Sequence, residues 1–208
     1  MLKGASRSVG RLRHSLGGLF MRLQVWKWFF VIPAFLQLAA CASSVPKVEF
    51  TQAPAPEVRL DANDAADITV DAADGVSLVN YEKERLAHLI GEKLAALQSM
   101  NTEVGAEGRY NVKVTVTRYD KGNAFARAMF AGLGQIHVDA NVQLFMLDAD
   151  AETKVADFNI DKTFAWGGIY GASTRIEDVE PAFAEGIARA LTGRETANGE
   201  SKEASARE

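Results

Sequence analysis

The chain has 208 residues with 23 basic and 27 acidic side chains. Six of the basic residues and none of the acidic ones fall in 1–41, so the remainder carries a net charge of about −10. That balance argues against a nucleic-acid partner, which needs a basic face, and against broad electrostatic adhesion to anionic lipid. Cys41 is the one cysteine, so no disulfide staples the fold. A domain of the size that follows it can bury a core without one.

The first organised stretch is an export signal. Arg22 and Lys27 lead into an apolar run from Trp28 to Leu38, and Ala39 and Ala40 precede Cys41. Only 13 residues lie from Trp28 to Ala40, with Pro33 and Gln37 among them, whereas spanning a bilayer takes about 20 apolar residues. Leu38-Ala39-Ala40-Cys41 resembles the lipobox of bacterial lipoproteins. The resemblance implies a signal peptide over 1–40, cleavage between Ala40 and Cys41, and a lipid (palmitate-type) anchor on Cys41. Ala42 in the next position implies sorting to the outer membrane, with the protein on its periplasmic face. Arg7, Arg11, Arg13 and His14 stand well ahead of the apolar run, and Met21 opens a compact signal. The pattern therefore favours translation from Met21, with a long basic leader from Met1 as the alternative.

Residues 41–57, with Pro46, Pro54 and Pro56, read as the lipidated cysteine and a tether. Residues 58–193 read as one domain, and the polar residues 194–208 as a disordered tail. Asp61, Asp64, Asp67, Asp71 and Asp74 lack the order of a calcium loop. They read as solvated turn residues around a short strand at Ile68-Thr69-Val70. Leu86, Leu89, Ile90, Leu94 and Leu97 fall at three- and four-residue steps, which predicts a helix over 79–100 capped by Ser77 or Asn80. Tyr110, Val112, Val114 and Val116 alternate with polar residues and predict a strand. Ile136 to Met146 and Ala156 to Phe164 alternate in the same way, around a turn at Asp148–Glu152. Three strands with tight connections imply an antiparallel meander. Glu177 or Asp178 opens a last helix, with Pro181 in its first turn, an apolar stripe of Val179, Phe183, Ile187 and Leu191, and Gly193 at its end.

Two connections are unusually apolar. Ala124–Gly134 carries Phe125, Met129, Phe130 and Leu133 with Arg127 as its one charge, and Trp166–Gly171 includes Trp166 and Tyr170. The first reads either as a short helix packed over the sheet edge or as a loop that touches lipid or a partner. Arg127 hydrogen-bonds loop carbonyls or meets a partner's carboxylate, since a charge in an apolar segment needs pairing if buried. His137 and Asp139 share a strand face, and His88 borders the first helix. They are the only acid–base candidates, and no nucleophile or metal-spaced partner stands near them in sequence. The reading is therefore not an enzyme, with no cofactor and no metal.

The stretch Val114 to Leu147 carries Tyr119-Asp120-x-Gly122-Asn123, Arg127, Gly132-x-Gly134 and a strand ending Leu147-Asp148. Over roughly Val58 to Gly193 it is similar to a widespread family of bacterial outer-membrane lipoproteins whose domain has no assigned function. The element order is also similar to envelope lipoproteins that assist other machines, such as auxiliary subunits of lipid transporters, although fold alone does not imply function. The expectation is an α+β fold: an antiparallel meander sheet of three to four strands with two helices packed on one face. Its function is expected to be that of a membrane-anchored, non-catalytic accessory or interaction module of an envelope complex. Phe125, Arg127, Phe130, Leu133, Trp166 and Tyr170 are its candidate contact residues with an envelope protein partner. The alternative is a binder of a small apolar ligand or lipid in a pocket between helices and sheet.

Overall fold

Alternating apolar and polar residues build five strands, and two amphipathic stretches build the helices that cover them. The structure, a computed structural model, describes residues 45–55, 58–100, 107–130, 132–148 and 151–194. The signal peptide, Cys41 and the tail beyond Arg194 lie outside the described residues.

In chain order the elements are β1 (Lys47–Gln52), β2 (Ala65–Ala72), α1 (Asn80–Gln98), β3 (Arg109–Asp120), α2 (Ala124–Met129), β4 (Ile136–Leu147), β5 (Glu152–Phe164), α3 (Gly168–Ser173) and α4 (Ile176–Leu191). The sheet order is β1-β5-β4-β3-β2. β3, β4 and β5 form the expected meander. The sheet differs from the expectation at both edges: β1 adds a fifth, antiparallel strand, and β2 makes the sheet mixed. β2 pairs parallel to β3, because a helix rather than a turn joins them and carries the chain back to the same end of the sheet.

β1 falls inside the segment expected to be a tether. Val48 lies opposite Ile160, and Phe50 lies opposite Phe158 with ring centroids 5.2 Å apart. That pairing gives residues 47–52 an apolar face to bury. Pro46 and Pro54 flank the strand, and an edge position tolerates them.

α1 and α4 both cover the sheet face that presents Val112, Val114, Val138, Ala140, Val142, Phe158 and Ile160. Leu86, Ile90, Phe183, Ala184 and Ile187 fill the layer between helices and sheet with no exposed surface. The two helices run side by side in the same direction. Arg85 and Glu180 meet near their N-terminal ends. Their C-terminal ends meet the 60–64 loop, through the Leu60 N–H to the Leu191 carbonyl at 3.0 Å and Gln98 Nε2 to the Asp61 carbonyl at 2.7 Å.

The caps differ from those read in the sequence. Val79 is the N-cap of α1, and the Glu82 carboxylate accepts from its backbone N–H at 3.0 Å. Asp178 does the same for Arg175 at the start of α4, at 2.8 Å. Neither N-cap side chain can accept a hydrogen bond, so an acid three residues on supplies half of a capping box. Pro181 consequently falls in the second turn of α4 rather than the first.

The other sheet face carries no helix among the described residues and is polar. Asn141 Nδ2 donates to Asp157 at 2.8 Å and Gln143 Nε2 donates to Asp157 at 3.2 Å. Lys154 pairs with the same carboxylate at 2.8 Å. Burial works against the charged Asp157, but Lys154, Asn141 and Gln143 together hold its carboxyl below the ordinary value.

Candidate functional site

The residues singled out in the sequence gather at one end of the sheet. β3 ends at Asp120, opposite His137 near the start of β4, and β5 ends at Phe164, opposite Ile136. α2 follows β3 and α3 follows β5, so both short helices sit at that end and pack on each other.

A single side chain holds them together. Arg127 is only 3% exposed. Its Nε donates to the Gly171 carbonyl at 2.7 Å, and one terminal nitrogen donates to the Gly134 carbonyl at 2.6 Å and more weakly to Lys121 at 3.4 Å. The other terminal nitrogen donates to the Thr174 carbonyl at 2.9 Å. These bonds give four of the five guanidinium donors a backbone acceptor, with acceptors from both apolar segments. Burial lowers the basicity of the guanidinium, and Asp120 offsets part of that loss.

Close backbone approach makes this clasp possible. Gly122 and Gly134 have φ of +64° and +67°, and a Cβ on either would strike backbone oxygens of the facing segment. Asn123 caps α2 by accepting from the Ala126 N–H at 3.0 Å. The apolar connection at 166–171 is mostly the short helix α3. Thr174 Oγ1 donates to the Tyr170 carbonyl at 2.8 Å, and the clasp fixes its last carbonyls.

Around the buried arginine the apolar side chains point outward. Phe125, Phe130, Leu133 and Tyr170 are exposed, as are Met129 and Ile169, which belong to the same surface. Tyr170 is 75% and Ile169 88% exposed. Trp166 is half-buried beneath them, stacked on Phe164 at 6.3 Å and edge-on to Tyr170 at 6.2 Å. Its indole N–H is the one buried side-chain donor without a partner among the described residues. Of the six contact candidates, Arg127 is therefore internal, Trp166 is partly so, and the other four are displayed. Met129 and Ile169 were legible as members of the two apolar segments, but only the structure shows which way they face.

The acid–base candidates are not brought together. His88 is on exposed α1 surface beside Glu92 at 3.5 Å. His137 and Asp139 are on the opposite, open face of the sheet, where His137 Nδ1 lies 3.0 Å from Thr163 Oγ1. Burial raises the Asp139 carboxyl above its ordinary value, with Arg118 working against the shift and Asp161 adding to it.

A second cluster escaped the sequence reading. Glu180 is fully buried and accepts from Arg85 Nε at 2.7 Å, from Arg85 Nη2 at 2.8 Å and from the Tyr119 hydroxyl at 2.6 Å. It joins α1, α4 and β3. Donation to the Glu180 carboxylate raises the already high basicity of Arg85, and burial followed by Glu180 drives the Tyr119 hydroxyl far above its ordinary range. The signal was Glu180 itself, an acid three residues before Phe183 on the apolar face of its helix. Nearby, Lys121 pairs with buried Glu82 at 2.7 Å. Burial opposes the charge on Glu82, but Lys121 and the Val79 N–H hold its carboxyl below the ordinary value.

No helix among the described residues is long and apolar enough to cross a membrane, and no group of three or more metal-ligating side chains is found among them. No curated protein matches the chain. Three solved structures are similar at low identity. A PelC dodecamer from Paraburkholderia phytofirmans is 14% identical over 72% of this chain and 99% of that one, with a TM-score of 0.44. A protein described as a candidate lipoprotein, from Caulobacter crescentus, is 21% identical over 62% of this chain and 93% of that one, at 0.34. A Xanthomonas campestris protein assigned to a DUF330 family model is 12% identical over 68% and 88%, at 0.37. A family model matches residues 53–168, more than half of the chain, and by that match the protein belongs to the family described as a domain of unknown function, DUF4410.

Proposed function

We propose that this protein is an envelope lipoprotein whose folded domain is a non-catalytic interaction module working through the apolar end of its sheet. The observation that carries the reading is the clasp. A buried arginine spends its donors on fixing two short helices, and those helices with the turn after the first, which holds Phe130 and Leu133, present six large apolar side chains to the outside. An exposed apolar surface of that kind marks an interface, and a fixed one lowers the ordering cost of making a contact. The lipobox-like Leu38-Ala39-Ala40-Cys41 supports permanent attachment through Cys41, and the pair of signals in a lipoprotein anchor, two or more acyl chains, suffices for stable membrane binding. Ala42 supports the periplasmic face of the outer membrane.

The reading is tested in cells with two substitutions. Cys41→Ser is expected to abolish palmitate labelling and release the protein from the membrane. Phe130→Asp is expected to keep the anchor and the fold while removing the contacts seen by chemical crosslinking of intact cells. Unchanged crosslinks in a folded Phe130→Asp protein would count against the interaction module.

A further inference from the structure

The clasped apolar end and the start of β1 are on the same side of the sheet. β1 runs antiparallel to β5, and Lys47 lies opposite Asp161. The described residues before Lys47 therefore lie toward the end of β5 that carries Phe164, Trp166 and α3. Asp161 is three residues from Phe164, about 10 Å along the strand. Cys41 precedes Lys47 by six residues, which at full extension span about 20 Å. That reach covers the apolar end. It does not cover the far end of β5 at Glu152, nine residues and about 30 Å away. Val45, the first residue described, is itself exposed and apolar.

We infer that the occupant of the apolar end is the lipid surface to which Cys41 is anchored: Phe125, Met129, Phe130, Leu133, Ile169 and Tyr170 rest in the bilayer interface and fix the domain's orientation on the membrane. This deepens the reading above and rests on it. The chemistry of the patch fits the interface of a bilayer. Its side chains are aliphatic and aromatic, and Tyr170 sits over Trp166, the two residue types that favour the headgroup boundary. The acidic chain offers no general electrostatic attraction to lipid, so the contact is apolar and insensitive to salt. A short leash also confines the patch near the surface, so a weak contact suffices. The open polar face of the sheet, with Asn141, Asp157 and Asn159, is then held off the membrane.

The test uses the full chain, processed in a bacterial host and reconstituted into phosphatidylcholine vesicles that contain a phospholipid with a photoactivatable acyl chain. Peptides bearing Phe125–Leu133 and Ile169–Tyr170 are expected to take up lipid label about tenfold more than the peptide bearing Asn159, equally at low and high salt. In parallel, a photoreactive residue replaces Phe130 in living cells. Lipid label at both segments supports the inference. A discrete protein adduct at position 130 without lipid label overturns it and leaves the interaction module standing. Neither lipid label nor a protein adduct overturns both.

Discussion

Two regions of this domain invert the usual placement of side chains. Between α1, α4 and β3, charge lies inside: Glu180 is fully buried and is met by the half-buried Arg85 and Tyr119 hydroxyl. At the end of the sheet, hydrocarbon lies outside, on the six exposed residues around Arg127. The first region is closed, because each charge faces a partner inside the chain. Such a cluster specifies how two helices sit on a sheet. The second region is open, because its apolar surface finds no cover among the described residues. Arg127 links the two kinds of region, as a charge buried to hold hydrocarbon in view. The contrast separates what keeps the fold from what the fold presents.

The largest expected effect comes from breaking the closed region. Glu180→Ala leaves the Arg85 guanidinium with only the distant Glu177 carboxylate, at 3.9 Å, and the Tyr119 hydroxyl without its Glu180 acceptor. It should destabilise the domain by about 3–5 kcal/mol in urea unfolding. A loss near zero would show that the cluster is not the lock described. Arg127→Met is expected next. It strands carbonyls at Gly134, Gly171 and Thr174, at a cost of about 1–3 kcal/mol. The damage should also be local, with amide exchange rising in 124–134 and 168–174 while the centre of the sheet stays protected. Uniform exchange throughout would contradict a clasp.

A smaller effect follows pH. Glu82 has its carboxyl held below the ordinary 4.5 in the folded state. A lowered carboxyl contributes stability that is present above the unfolded value and is lost as pH falls through the folded one. Glu82→Gln, which cannot hold that charge, should therefore lose less stability than the parent between about pH 5 and pH 3. Identical acid profiles would contradict the Lys121–Glu82 assignment. The smallest stability effect belongs to the open region. Phe130→Ser should change unfolding by no more than about 0.5 kcal/mol, because the ring gives up little burial, and yet it should weaken the contact at this end.

The open region was far more legible in sequence than the closed one. An apolar segment with one arginine between two alternating strands is anomalous on sight, and Ala124–Gly134 and Trp166–Gly171 carried that anomaly. Outward direction was not legible, because a short helix can present either side. Arg127 shows what sequence can do: its need for pairing follows from its setting, and of the two roles open to it, loop carbonyls or a partner's carboxylate, the structure provides four carbonyls. The Arg85–Glu180 pair lies 95 residues apart in the chain, and no local period joins two such positions.

The edges of the sheet were misread for different reasons. Lys47-Val48-Glu49-Phe50 does alternate, but the flanking prolines weighed toward a tether, although an edge strand accepts them. β2 was seen as a short strand, and its parallel pairing follows from the helix after it, a connection that excludes a hairpin. Lys162 stood on the apolar face of β5 in the sequence and is buried there, where burial pulls its ammonium below the ordinary value.

The measurement that bears most directly on the central claim is in-cell photocrosslinking from two positions of the full chain, Phe130 on the apolar end and Asn159 on the open polar face. Efficient adducts, with lipid or with a partner, are expected from position 130 and none from position 159. Adducts from position 159 alone, or from neither, would contradict the assignment of the apolar end as the working surface of this protein.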